Sequence, residues 1–395
     1  MAYLDHAATT TLLPEVKSLL IEQLGAALNP SSLHESGRKA RQLVEEARER
    51  IAKALKIRPS EIYFTAGGTE ADNVAIKGIH WARQRERRRP QLLISAVEHH
   101  AVLDPAQWLA ERGEAELVLI PVDSIGRIDL EWLERKLEKD SESVSMISVM
   151  WANNEVGTVQ PINEVVLLAA KFGIPVHSDA VQAIGTLPVD LSDIKLSALS
   201  ASGHKIGAIH GVGFLMLRTG VKVDPILHGG NQERDVRSGT INAVGAQALA
   251  LAVELVIRNQ TENFNRISKL RDDLVKRVKS AVPDAVYNGD PINRLPGNAH
   301  FSFYGAEGDA MLMLLDAKGV QVSTGSACSV GIPQPSHVLI AMGLDPVRAK
   351  SSLRFSLGST SDTSDIDFLI SALPDVVSRA RRAGMVSDTK VAAQV

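Results

Sequence analysis

The chain has 395 residues, 45% hydrophobic, 23% charged and only 4% aromatic, and its 43 Lys and Arg against 46 Asp and Glu leave a net charge of −3. An ordinary apolar fraction with so small a net charge excludes a globally disordered chain and offers no bulk attraction to nucleic acid or to an anionic membrane. At about 150 residues per domain the length implies two or three domains, or one large and one small. The single cysteine, Cys328, excludes an intrachain disulfide and gives no sign of an oxidising compartment. Met1-Ala2-Tyr3-Leu4-Asp5-His6 carries charge within its first residues and has no apolar signal region. The longest apolar stretches, such as 246–257, fall short of the roughly 20 residues of a membrane span. The expectation is a cytoplasmic protein with no membrane partner and no direct nucleic-acid partner.

From about residue 14 to 260, short apolar runs alternate with helical patterns. The runs at 62–64 and 92–94 precede helices expected from Thr69 and from about Ala101. Further runs follow at 117–122, 146–150, 174–177, 196–200 and 212–217. Near-continuous apolar strands alternating with helices indicate an α/β unit with a mostly parallel sheet covered on both faces. A strong helix former at 243–257 and an amphipathic helix at 264–282 could link it to a second unit. That second unit reads as small and α+β: a strand at 299–304, a helix at 307–318, a Gly- and Ser-rich loop, a strand at 352–357 and a helix at 365–382. The expected division is a large domain over 14–259 and a small domain formed by 1–13 with 260–382. It carries a cysteine loop at about 322–336, and a disordered tail is expected over 383–395. The run Arg83-Gln84-Arg85-Glu86-Arg87-Arg88-Arg89 admits two readings, a patch for an acidic partner or a solvated helix end whose cations complement the carbonyl terminus.

Three short motifs carry chemistry. Thr65-Ala66-Gly67-Gly68-Thr69-Glu70 follows a strand and opens a helix, where glycines admit a close ligand and free N–H groups suit a phosphate. Many strand-to-helix turns look the same. Val176-His177-Ser178-Asp179-Ala180-Val181-Gln182 ends a buried strand; Asp179 could pair with a cationic ring nitrogen or cap the next helix. Ser200-Ala201-Ser202-Gly203-His204-Lys205 follows another apolar strand. Its lysine is either solvated or, when desolvated beside a carbonyl, able to form a Schiff base. Taken together, in chain order, the three supply what pyridoxal 5′-phosphate requires: a phosphate cradle, a carboxylate for the pyridinium nitrogen and a lysine for the aldehyde.

At this point the chain resembles the cysteine desulfurases of the NifS/IscS type, class V aminotransferases with the aspartate-aminotransferase-like fold (PLP fold type I). The resemblance runs from Tyr3-Leu4-Asp5-His6-Ala7-Ala8-Thr9-Thr10 to about Ser361. It includes Ala66-Gly67-Gly68-Thr69-Glu70-Ala71-Asp72-Asn73, Glu98-His99-His100-Ala101-Val102, Asn153-Asn154-Glu155-Val156-Gly157 and Arg237-Ser238-Gly239-Thr240. Its most telling stretches are Thr324-Gly325-Ser326-Ala327-Cys328 and Ser352-Leu353-Arg354-Phe355-Ser356.

The resemblance implies roles position by position. Lys205 would bond the cofactor aldehyde, Asp179 hold the ring nitrogen protonated and Gln182 bond the ring's phenolic oxygen. Gly68, Thr69, Ser202 and His204 would take the phosphate, with Thr240 reaching the partner subunit's phosphate in a homodimer. His99 would stack on the ring and move protons, while Asn154 and Arg354 position the substrate, Arg354 through its carboxylate. Cys328 would take sulfur from L-cysteine as a persulfide, releasing L-alanine. The implied acceptor is a partner such as an iron–sulfur scaffold, with tRNA or cofactor thiolation also open, and the 324–328 wording matches the iron–sulfur group of the family. No resident metal is implied; Cys328 is the position that could transiently hold a nascent cluster. A selenocysteine lyase or an aminotransferase on the same fold is the alternative reading, and a transaminase needs no loop thiol. Ile209 and His210 stand where the family usually has a proline and often a lysine. The segment beyond Arg382 is short and of mixed polarity, which sets it apart from the family's usual docking tail.

Overall fold

The computed structural model describes residues 1–26, 28–325 and 335–392. Its strands in chain order are β1 (Ala2–Tyr3), β2 (Ile62–Thr65), β3 (Gln91–Ser95), β4 (Glu116–Ile120), β5 (Val144–Ser148), β6 (Val176–Asp179), β7 (Ala198–Ser202), β8 (Gly213–Leu217), β9 (Val286–Asn288), β10 (Asn298–Ser302), β11 (Val320–Gln321) and β12 (Ser352–Ser356). Seven of them form one sheet in the order β2-β8-β7-β6-β5-β3-β4. β8 runs antiparallel to both of its neighbours, and the remaining pairs are parallel. Every residue of β3, β5, β6, β7 and β8 is buried, the signature of strands covered by helices on both faces.

Helix Glu35–Leu55 buries one stripe, including Val44, Ile51 and Leu55, against helix Ala243–Arg258 and the large sheet. The chain meets its second core where Asn259 ends that helix and caps the next, Gln260–Ala281. That core gathers Phe301, Phe303, Phe355 and Leu373, and it also takes in Ala2 and Leu4 from the N-terminus. Backbone pairing explains the capture: β1 lies parallel to β11, while β12, β10 and β9 form an antiparallel sheet. The final helix runs from Thr363 to Ala392, past the boundary at Arg382 suggested by the sequence; residues 393–395 lie outside the described residues. In the arginine-rich run, helix Ile79–Glu86 ends, and Arg85 and Arg87 pair with Asp224 and Glu142. These pairs make the run a salt-bridged helix end. Among the described residues no helix is long and apolar enough to cross a membrane.

Candidate active site

The C-terminal ends of β2, β3, β6 and β7 lie along one edge of the large sheet, because β2 and β7 both run opposite to β8 between them. This is the edge at which open α/β sheets bind ligands. The turn after β2 delivers Gly68, the turn after β3 His99, the end of β6 Asp179, and the end of β7 Ser202 and then Lys205.

Gly68 is buried at the start of helix Gly68–Asn73. A Cβ there would lie 2.8 Å from Val181 Cγ2 and 3.4 Å from Ser202 Cβ. Three segments therefore meet with room for backbone but not for a side chain, the packing expected of a phosphate-binding turn. Thr69 is exposed beside it. Ser202 is buried at the end of β7, and the half-buried His204 shares a hydrogen bond of 3.3 Å with Thr9 Oγ1. Burial, then Lys205 and His210, push the His204 pKa down to about 4, so its ring is neutral at pH 7. His210, one of the two departures, packs its ring 5.0 Å from that of His204, and Ile209 packs on the main core.

Asp179 Oδ1 accepts from the Val181 N–H at 2.8 Å. Burial raises its pKa to about 6, against the lowering effects of the Val181 hydrogen bond and Lys205. A buried carboxyl held by a backbone donor is suited to a cationic ring nitrogen, which would offset the cost of its charge. Lys205, in the turn after β7, donates to the carbonyls of Ala7 and Ala8 at 2.6 and 2.7 Å. Gln182 Nε2 also donates to Ala7 O, at 2.9 Å. The N-terminal segment is thus tied to the amine. His99 caps helix His100–Glu111, its Nδ1 accepting from Ala101 N at 3.0 Å. Burial foremost, with Lys205 and His100, pushes its pKa down to about 4, so the ring is neutral at pH 7 and, with Nδ1 accepting, carries its hydrogen on Nε2.

Arg354 enters from β12 of the second core, its side chain 4% exposed. Nη1 donates to Asn154 O at 2.9 Å and Nη2 to Asp5 Oδ1 at 2.8 Å. The Asn153 side chain accepts from Glu155 N and Val156 N, each at 2.9 Å, which fixes the turn carrying Asn154. Thr240 is exposed, away from this pair in sequence and next to the Arg237–Glu70 ion pair. Cys328 and most of the expected cysteine loop lie outside the described residues. A cavity of about 320 Å³ opens beside Lys205 and Gln182, at the junction of the two cores. Its walls include Lys205 and Gln182 but not Thr69, His99, Asp179 or Ser202.

Sequence reasoning passed over the buried polar groups behind Asp179. His177 is wholly buried; its Nδ1 meets Ser148 Oγ and its Nε2 meets Ser200 Oγ, both at 2.9 Å. Burial pushes its pKa down to about 3, so it is neutral. Asp72 and Glu98 are buried too, and burial followed by the Asp179 charge holds both well above the usual carboxylate range. Asp179 is therefore the carboxyl of the three best placed to carry charge. For His177 the sequence signal was a polar residue in an otherwise apolar strand, whereas Asp72 lies in a helix and Glu98 in the turn after β3. Asp5, the partner of Arg354, carried no such signal.

A family model described as aminotransferase class-V matches residues 2–369. The chain belongs to the aminotransferase class-V family. It is 50% identical over 390 residues to an IscS-like cysteine desulfurase of Mycobacterium tuberculosis, covering 98% of this chain and 99% of that one. It is 40% identical to the cysteine desulfurase NifS of Azotobacter vinelandii over 96% of this chain and 93% of the relative. A solved NifS-like protein superposes with a TM-score of 0.87 at 34% identity, covering 96% of this chain and all of the other. With the class-V family come the type I fold and pyridoxal phosphate as cofactor.

Proposed function

We propose that this class-V enzyme is a cysteine desulfurase that converts L-cysteine to L-alanine and carries the released sulfur as a persulfide on Cys328. It works as a cytoplasmic homodimer and passes sulfur to an acceptor protein, with iron–sulfur cluster assembly as the principal destination. The observation that carries this reading is the grouping of Lys205 and Asp179 at one sheet edge, with Arg354 brought in from the other core.

Bound pyridoxal phosphate supplies an electron sink that labilises bonds at the substrate's Cα. The chain's own groups do the rest. Arg354 binds the amino-acid carboxylate through its planar fork. Gly68, Thr69, Ser202 and His204 would hold the cofactor's phosphate, Asp179 its ring nitrogen and Lys205 its aldehyde, and the Lys205 amine, when free, would carry the Cα proton. The Cys328 thiolate attacks the substrate sulfur: an S–S bond forms, the C–S bond breaks and its electron pair stays on carbon. That carbon becomes the alanine methyl group on protonation, in which His99 assists. A lone cysteine in the chain means that the persulfide is discharged only by something external: a partner protein's thiolate, a small thiol or another reductant.

The test is single turnover. Without reductant, L-cysteine yields about one alanine per site and then stops, as an accumulating covalent intermediate requires; a dithiol makes turnover continuous. Cys328→Ser retains the cofactor and loses the burst. Alanine release by that variant at the wild-type rate would overturn the reading.

A further inference from the structure

Residues 231–235 have an unusual backbone. Asn231, Glu233, Arg234 and Asp235 have φ of 60°, 47°, 54° and 66°, and the other non-glycine residue with positive φ among those described is Lys56. Three consecutive L residues in the left-handed region are sterically unfavourable and persist only where their surroundings over-determine them.

The hold is visible. The Glu233 side chain is 1% exposed and grips Arg48 with both oxygens, at 2.7 Å to Nη2 and 3.0 Å to Nη1. Its Oε2 also accepts the Phe64 N–H of β2 at 2.7 Å. Arg234 donates to Ile62 O at 2.7 Å, and its guanidinium lies 4.0 Å from the Tyr63 ring centre. The strained turn is thus fastened to β2, the strand that leads into Gly68.

Its far end is fastened to the same place. Arg237 pairs with Glu70 through Nε at 2.7 Å and Nη2 at 3.3 Å. Glu70, in the first turn of helix Gly68–Asn73, also accepts the Ala66 N–H at 2.8 Å. Within the strap, Gly239 N donates to Gln232 Oε1 at 2.8 Å. Both ends of a strained strap therefore grip the two sides of the turn that cradles phosphate, and Gly239 and Thr240 are left exposed at its tip.

We propose that Glu233 is a positioning residue for the cofactor phosphate. By locking the left-handed turn onto Arg48 and β2, it fixes the Arg237–Glu70 pair that shapes the 66–70 cradle, and it sets the direction in which Thr240 is presented to a second copy of the chain. The inference rests on the reading of Gly68 and Thr240 as phosphate-binding positions. A carboxylate that only filled a core site would stabilise the fold without affecting cofactor affinity.

The test is the affinity of the full-length apoenzyme for pyridoxal phosphate, titrated by protein fluorescence and by the bound cofactor's visible absorbance. Glu233→Gln turns an amide N–H toward Arg48 and is expected to weaken affinity by about tenfold or more, the scale of losing a hydrogen bond to a charged group. Asp235→Gly removes the steric penalty at φ 66° and, combined with Glu233→Gln, should restore part of that affinity. Arg237→Gln probes the same contacts from a half-buried position and should weaken binding even if Glu233→Gln does not fold. Unchanged affinity in Glu233→Gln, or a loss that Asp235→Gly does not relieve, would overturn the inference. If Glu233→Gln fails to fold, unchanged affinity in Arg237→Gln would do the same. Thr240→Ala separates the two readings. If Thr240→Ala weakens affinity and Glu233→Gln does not, the positioning role falls alone. If Thr240→Ala has no effect, the assignment of Thr240 falls.

Discussion

Arg354→Lys separates the fork of an arginine from its charge. In the structure the guanidinium is nearly enclosed, with Asn154 O on Nη1 at 2.9 Å and Asp5 Oδ1 on Nη2 at 2.8 Å. Nε is buried and has no protein partner among the described residues. Those two contacts hold the guanidinium plane in place, so that the fork is already oriented by the protein before a substrate carboxylate arrives. A lysine keeps the charge but is a single point on a flexible stem, so it cannot hold Asn154 O, Asp5 and a carboxylate in one plane. One charge-assisted hydrogen bond is lost, about 1.5–3 kcal/mol, which at about 1.4 kcal/mol per decade raises KM for L-cysteine roughly ten- to a hundredfold. Because the carboxylate contact is the same before and during bond breaking, kcat should change much less. Steady-state alanine production with excess dithiol, over a range of L-cysteine, reads both constants. An unchanged KM would mean that the carboxylate binds elsewhere. A collapse of kcat with KM intact would mean that Arg354 acts on the chemistry and not on binding.

Three further outcomes are expected. Gly68→Ala places a methyl group 2.8 Å from Val181 Cγ2; overpacking of about 1–3 kcal/mol should lower pyridoxal phosphate affinity by roughly five- to a hundredfold in an apoenzyme titration, and undiminished affinity would remove this turn from the cradle. Lys205→Ala keeps the phosphate contacts but removes the amine, so cofactor should still bind while alanine production disappears; activity within about tenfold of wild type would refute the assignment. The third concerns acid stability. Burial, with Arg354 and Arg294, pushes the His300 pKa from 6.5 down to about 3, so the unfolded chain binds a proton there that the native ring refuses. The native state's advantage is full above 6.5 and is lost as pH falls from 6.5 toward 3. His300→Gln should therefore flatten the fall in Tm over that window, and an unchanged slope would refute the assignment of the acid sensitivity to His300.

Much of the site was legible because its chemistry is local. Asp179 and Lys205 sit at the ends of apolar runs, and a polar residue at the end of a buried strand is conspicuous in one dimension. Gly68 was legible as a glycine, but its reason was not: the atoms that exclude a Cβ belong to Val181 and Ser202, more than a hundred residues away in sequence. The setting of His177 was not legible, because an isolated histidine says nothing about the Ser148 and Ser200 hydroxyls that flank it. Helix ends shifted by a few residues, and the last helix ran beyond Arg382, since fraying and capping depend on neighbours that the local pattern does not contain.

The sequence by itself determined the alternation of buried strands and helices and the chain order of the motifs that carry Gly68, Asp179 and Lys205. These are properties of periodicity and spacing, which the backbone geometry of strands and helices reads directly. The tertiary structure decided what each group meets. It paired β1 with β11, so that the N-terminus joins a core whose other members begin at Ile267, and it set Asp5 against Arg354 and the Ala7 and Ala8 carbonyls against Lys205. It also fixed the charge states: burial keeps His99 and His177 neutral and raises Asp72 and Glu98 around Asp179. The cost of a buried charge depends on which dipoles and charges surround it, and that arrangement exists only once distant segments have packed together.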